Sequence, residues 1–175
     1  MTIFPVINIT ARRKTARLMA SLCGLFCLLS GTAVALEQYT AHGGPVKHLT
    51  LSPDGSLMVS SSFDYSAVVW SVPELADEAT LIGHDAAVNV AMFTPDGDWL
   101  VTGGDDNQIL LWSVADILSL GDETTPFVLR GHYGKIVDFA FSADGRYLVS
   151  ASWDGIVGLW DMALALSLIH ISEPT

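Results

Sequence analysis

The chain reads as an all-β protein made of three copies of one supersecondary unit, and three observations carry that reading. First, a histidine, a hydroxyl residue, an aspartate and a tryptophan recur in fixed order. The sets are His42, Ser60, Asp64 and Trp70; His84, Thr102, Asp106 and Trp112; and His132, Ser150, Asp154 and Trp160. In each set the hydroxyl lies 18 residues after the histidine, the aspartate 22 and the tryptophan 28, while successive sets are 42 and then 48 residues apart. Spacing that is rigid inside a unit and elastic between units marks a repeated module with one variable connection. Second, strand-length apolar runs alternate with turn signals. Third, no long stretch of helical period breaks the pattern.

The elements follow in the same order in each unit. An apolar run comes first: 46–51, 88–93 and 136–141. A tight turn ends it, Ser52-Pro53-Asp54-Gly55, Thr94-Pro95-Asp96-Gly97 or Ser142-Ala143-Asp144-Gly145. Glycine there supplies positive φ and aspartate bonds the turn backbone. A second strand spans 57–60, 100–102 and 147–150, and a second turn runs through the aspartate. A third strand ends on the tryptophan, over 67–70, 108–112 and 156–160. A fourth is expected before each histidine, over 37–40, 79–82 and 127–130. The long insertion 115–126 is expected as an exposed loop, and helix is expected only in the first 35 residues.

These residues resemble the tryptophan–aspartate (WD) repeat β-propellers. Gly83-His84 and Gly131-His132 match that family's Gly-His start, and Trp160-Asp161 its closing dipeptide. The resemblance spans residues 37–162, in repeats of about 37–72, 79–114 and 127–162. Ala41 replaces the first glycine, and Ser71 and Ser113 replace the closing aspartate. Tyr65 and Asn107 stand where the family often has glycine. Asparagine tolerates left-handed backbone and tyrosine does not, which predicts a distorted turn in the first unit. The resemblance implies a partial propeller of three four-stranded blades. Closed rings use about 4–8 blades, so three make only an arc. The strand before His42 is expected to complete a blade outside this arc.

Asp, His and Ser are also the vocabulary of nucleophilic catalysis. The family resemblance implies a structural use instead: histidine bridged to aspartate, with the bonds running on through the hydroxyl to the indole N–H. An enzyme needs one such site, whereas this chain has three, each with a tryptophan attached. The twelve residues therefore read as structural tetrads, with no catalytic group, no metal site and no cofactor. No second ligand stands near the histidines at useful spacing. The clusters Asp96-Gly97-Asp98 and Asp105-Asp106-Asn107 lack the length of a calcium loop. By the same resemblance, the loop before each first strand and the turn carrying the tetrad aspartate open on one face. Lys47, Phe63, Tyr65, Asn89, Asp105 and Trp153 are the candidates there for binding a protein partner.

The two ends are different material. Arg12, Arg13, Lys14 and Arg17 precede an uncharged run over 18–29, and Ala33-Val34-Ala35 offers small residues for cleavage before Leu36. Basic, apolar, then small is a secretory signal that predicts a helix over part of residues 1–35 and a periplasmic or secreted product. Arg12-Arg13 hints at the twin-arginine route, but the residues after this pair do not continue that motif and fit the general route better. Cys23 and Cys27 both lie in this segment, so the remainder is expected to hold no disulfide and no cysteine-attached haem. At the other end, residues 166–175 resemble the translation of a sequencing-library adapter, which sets them apart from the repeats 36–165 and predicts a longer natural chain.

Residues 36–165 carry 18 acidic and 4 basic side chains. Such a surface disfavours phosphate backbones and anionic lipid, so neither nucleic acid nor membrane is an expected partner. The leading expectation is a non-catalytic interaction module. Its alternative is the propeller half of an electron-transfer protein with a c-type cytochrome domain further along, an idea resting on family analogy.

Overall fold

The computed structural model describes residues 38–171. The expected signal helix lies outside them. Among the described residues, eleven strands form three antiparallel sheets. The first holds β1 (Val46–Leu51), β2 (Leu57–Ser62), β3 (Ser66–Ser71) and β4 (Asp77–Ile82), in that order. The second holds β5 (Val88–Phe93), β6 (Trp99–Gly104), β7 (Ile109–Ser113) and β8 (Phe127–Leu129). The third has β9 (Ile136–Phe141), β10 (Tyr147–Ser152) and β11 (Val157–Asp161). Strands adjacent in sequence pair with each other, as the hairpin turns dictate. Gly55, Gly97 and Gly145 all take positive φ, and each donates its amide to the carbonyl three residues back at 2.9 Å.

The expected fourth strand needs a correction. Each strand that precedes a histidine belongs to the blade of the unit before it: β4 pairs with β3 and β8 with β7. The sequence repeat therefore straddles two blades. Residues 38–40 form no strand, and the third sheet has three strands among the described residues.

The core consists of two seams between sheets. Val59, Ala67, Val69 and Leu81 of the first sheet meet Ala91, Phe93, Leu110 and Trp112 of the second. Val90, Val101, Ile109 and Leu111 leave the other side of the second sheet to meet Ile136, Phe139 and Leu148 of the third. Alternation sends successive side chains to opposite faces. The middle sheet is covered on both, which is why β7 reads Ile-Leu-Leu-Trp without a polar break. The outer sheets show the contrary pattern. Leu49 and Leu51 in β1 are exposed, whereas their counterparts Ala91 and Phe93 are buried. Val157 and Leu159 in β11 are exposed, whereas Ile109 and Leu111 are buried.

The insertion after Trp112 departs from expectation in folding rather than looping. Helix α1 (Val114–Leu120) is capped by Ser113, whose hydroxyl accepts the Asp116 amide, and it ends at Gly121 with φ 61°. Ile117 is driven into the first seam. A 3-10 turn, Gly121–Glu123, then sets Asp122 so that its carboxylate accepts the Thr80 amide of β4 at 2.7 Å. The insertion thereby ties the outer strand of the first blade to the second. A second helix, α2 (Met162–Ile171), follows β11 and buries Met162 in the other seam. Helix is thus not confined to the first 35 residues, and α2 runs into the segment set apart from the repeats. No described helix is long and apolar enough to cross a membrane.

Candidate functional site

The structure brings every tetrad together with nearly the same geometry. His42 Nδ1 lies 3.0 Å from Asp64 and its Nε2 2.7 Å from Ser60 Oγ, which also accepts the Trp70 indole N–H at 2.9 Å. The second set gives 2.9 Å for His84 to Asp106, 2.8 Å for His84 to Thr102, and 3.0 Å for Trp112 to Thr102. The third gives 2.8, 2.7 and 2.9 Å for the corresponding pairs among His132, Asp154, Ser150 and Trp160. The distances fit a relay. Trp donates to the hydroxyl, the hydroxyl to Nε2, and Nδ1–H to the carboxylate.

That arrangement shares two of its three bonds with a catalytic triad. The third, from the indole, has no counterpart in a triad. The indole N–H is donated to the hydroxyl oxygen, and Ser60, Thr102 and Ser150 are all buried. Such a closed network is the structural use of these residues: it pins the turn to the neighbouring strand. His48 and Ser61, opposite each other in the β1–β2 ladder, carry the two buried polar atoms left without a partner among the described residues. Ser61 is sealed from solvent and is no better placed as a nucleophile.

Each tetrad aspartate also accepts two backbone amides that the sequence reading missed. One belongs to the residue after the histidine: Gly43, Asp85 or Tyr133. The other lies two residues past the aspartate: Ser66, Gln108 or Ile156. Burial pushes the Asp64 carboxyl upward, but the Ser66 hydroxyl and amide, the Gly43 amide and His42 outweigh it and lower it to about 2. Asp106 and Asp154 are lowered in the same way, burial being overcome by their histidines and amides. The turn carrying the aspartate needs left-handed backbone one residue later. Gly155 supplies it with φ 82°, Asn107 with φ 66° and Tyr65 with φ 73°. Contrary to the sequence expectation, the first unit's turn is not distorted, and Tyr65 carries the strain. The Gly-His start also has a steric reason. A Cβ on Gly83 would stand 3.0 Å from the Trp112 ring, and one on Gly131 2.9 Å from Trp160.

The tetrad turns and the first strands meet at one edge of the sheets. Here each first strand carries a bulge. Val46 pairs with Ser62 and His48 with Ser61, so Lys47 is the unpaired extra residue. Asn89 and Val137 are skipped in the same way in β5 and β9. A bulge re-aims its extra side chain. Lys47 Nζ lies 4.3 Å from the centre of the Phe63 ring and bonds the Asn89 amide oxygen. Asn89 donates to Asp105 at 2.7 Å and to the Ile136 carbonyl at 2.7 Å. Asp105 stands 3.9 Å from Lys135 Nζ, which lies 3.8 Å from the centre of the Trp153 ring.

The result is one chain of contacts, Phe63–Lys47–Asn89–Asp105–Lys135–Trp153, crossing all three sheets. Asn89 is buried and acts as its keystone, whereas Phe63, Tyr65 and Trp153 are exposed. Sequence reasoning missed Lys135, because it precedes its strand instead of occupying the bulge as Lys47 does. Among the described residues no group of three or more His, Cys, Asp or Glu is placed to hold a metal ion.

The family profile for the WD domain, G-beta repeat, matches residues 34–71, 77–113 and 123–161. The chain belongs to the WD40 repeat family. Two solved structures share the fold of this WD40 chain. The U3-55K structure is 24% identical with a TM-score of 0.64, and the matched region covers 71% of this chain and 38% of that one. The RRP9 WD40 repeats are 25% identical with a TM-score of 0.63, again over 71% and 38%. The WD40 chain thus spans well under half the length of either structure. No curated protein matches its sequence.

Proposed function

We propose that this WD40 chain is a non-catalytic protein-interaction module, exported to the periplasm or beyond, that docks a protein partner on the edge where its tetrad turns meet. The observation carrying the proposal is the contact chain from Phe63 to Trp153. It holds exposed aromatic side chains on the turns of two blades, anchored by lysines, while every tetrad hydroxyl is buried against an indole. Large aromatics fixed in place at the surface are the usual anchors of a protein interface. Export rests on the basic start, the apolar run and Ala33-Val34-Ala35, which together propose Leu36 as the mature first residue.

Site-specific photocrosslinking tests the docking face. A crosslinker at Trp153 is expected to trap a partner, and one at Asp144, on the turn at the opposite end of β10, is not. Equal trapping from both positions, or from Asp144 alone, overturns the proposal. N-terminal sequencing of the protein from its native host tests the export reading, with Leu36 as the expected first residue.

A further inference from the structure

We infer that the docking edge takes an acidic peptide, held by Lys47 and Lys135 and flanked by Phe63 and Trp153. The inference rests on the reading of this edge as a protein-binding face. Charge carries it further. Only four lysines and arginines occur in residues 38–171: Lys47, Arg130, Lys135 and Arg146. Two of them are brought to this one edge of an otherwise acidic surface. Arg146 is engaged with Asp161 at 3.3 Å. Lys135 reaches Asp105 only at 3.9 Å, and Lys47 has no carboxylate partner.

The three tetrad carboxylates on this edge are already committed. Asp64, Asp106 and Asp154 face inward to their histidines, with side chains 21%, 5% and 8% exposed. Asp105 accepts from Asn89 and stands between the lysines, so one positive charge remains over on the strip. Each ammonium has three donors. An aromatic face and one amide oxygen leave donors on Lys47 free for an incoming carboxylate.

Preorganisation strengthens the case. A free lysine loses much rotamer entropy when it binds, whereas these two are already stacked on rings, Lys47 seated by its bulge and the Asn89 amide and Lys135 held beside Asp105. Trp153 is 72% exposed and Tyr133, beside the third tetrad, 87%. They offer apolar contact next to the charges. The matching ligand is an extended segment that alternates carboxylates with apolar side chains and runs from the first blade to the third. A basic segment would meet two lysines here and find its complement elsewhere on the surface.

The test is fluorescence anisotropy of the full chain with three labelled short peptides: one alternating glutamate and leucine, one with lysine for glutamate, and one with serine for glutamate. The glutamate peptide is expected to bind and to weaken as salt rises. Lys47→Met and Lys135→Met are each expected to weaken it about tenfold, the size of one charge-assisted hydrogen bond, with Lys→Arg retaining binding. Equal or tighter binding of the lysine peptide, no binding of the glutamate peptide, or unchanged affinity in both Met variants overturns the inference. If Phe63→Ala and Trp153→Ala abolish binding of the serine peptide while the lysine variants change nothing, the edge still docks protein and only its acid selectivity fails. Loss of partner trapping at Trp153 would instead remove the underlying docking reading.

Discussion

Ser60, Thr102 and Ser150 are each held between an indole N–H and the Nε2 of their histidine. That clamping fixes the geometry of each tetrad. Removing its last acceptor leaves a buried imidazole N–H and two backbone amides unpaired. Asp154→Ala is therefore expected to cost about 1–3 kcal/mol in urea unfolding and to change no chemistry. A fully stable Asp154→Ala that loses a hydrolytic activity would contradict this. The same carboxylates fix the response to acid. Asp64 titrates at about 2 in the folded chain against an ordinary 3.8, so its contribution is complete above that ordinary value. It disappears as pH falls towards 2. The melting temperature should drop steeply between those limits, and Asp64→Asn should flatten the drop. Tyr65 works against stability. Left-handed backbone costs a non-glycine residue roughly 1–2 kcal/mol, part of which glycine returns as chain entropy. Tyr65→Gly should therefore raise stability by up to about 1 kcal/mol, measured by the same unfolding; a loss would show that the ring packs usefully.

At the scale of elements, the strands were legible because their turns are chemically explicit. A Pro-Asp-Gly or Ala-Asp-Gly turn can close only one way, and the tetrad spacing fixes which strands flank it. What the repeat hides is ownership. A histidine and the strand before it are neighbours in sequence but lie in different blades, because the chain crosses from one sheet to the next between them. Helix α1 was missed for another reason. Seven residues are too few for a helical period to show against a strand background. Its signal was the Ser113-to-Asp116 cap, a hydroxyl followed three residues later by an acid. The candidate edge was legible in its aromatics but not in its wiring, since a bulge shifts side chains without marking the sequence. Helix α1 is no ornament. Ile117→Ala empties a fully enclosed position in the first seam and should cost about 2–5 kcal/mol, read from chemical denaturation. A cost below about 0.5 kcal/mol, the range of ordinary surface changes, would mean the insertion is dispensable.

At the scale of the whole molecule the governing fact is that, among the described residues, each sheet has two apolar faces and only the middle one has two neighbouring sheets. The open side of the first blade forms a hollow of about 450 Å³ bordered by Tyr39, Val46, Leu49, Met58 and Trp70. It is the same face that the second and third blades bury. The open side of the third blade presents Val157 and Leu159, the kind of surface that fits such a face elsewhere in the chain. Residues 36–165 expressed alone should therefore self-associate in a concentration-dependent way, and Leu49→Lys together with Leu159→Lys should suppress it. Sedimentation velocity decides; a monodisperse, cooperatively melting monomer of the unmodified segment would show that three blades need no further cover.

Strand edges offer a second mode of association, and Asp122 gives it a direction. An outer strand with bare amides and carbonyls is a template on which another strand can lay itself down. In the first blade the carboxylate already holds the Thr80 amide, so an arriving strand finds that hydrogen bond taken and a negative charge beside it. In the second blade β8 is three residues long and offers little to copy. Among the last strands of the three described sheets, β4, β8 and β11, only β11 presents a longer edge without such a guard. Edge-to-edge stacking through these last strands would consequently start from the third blade.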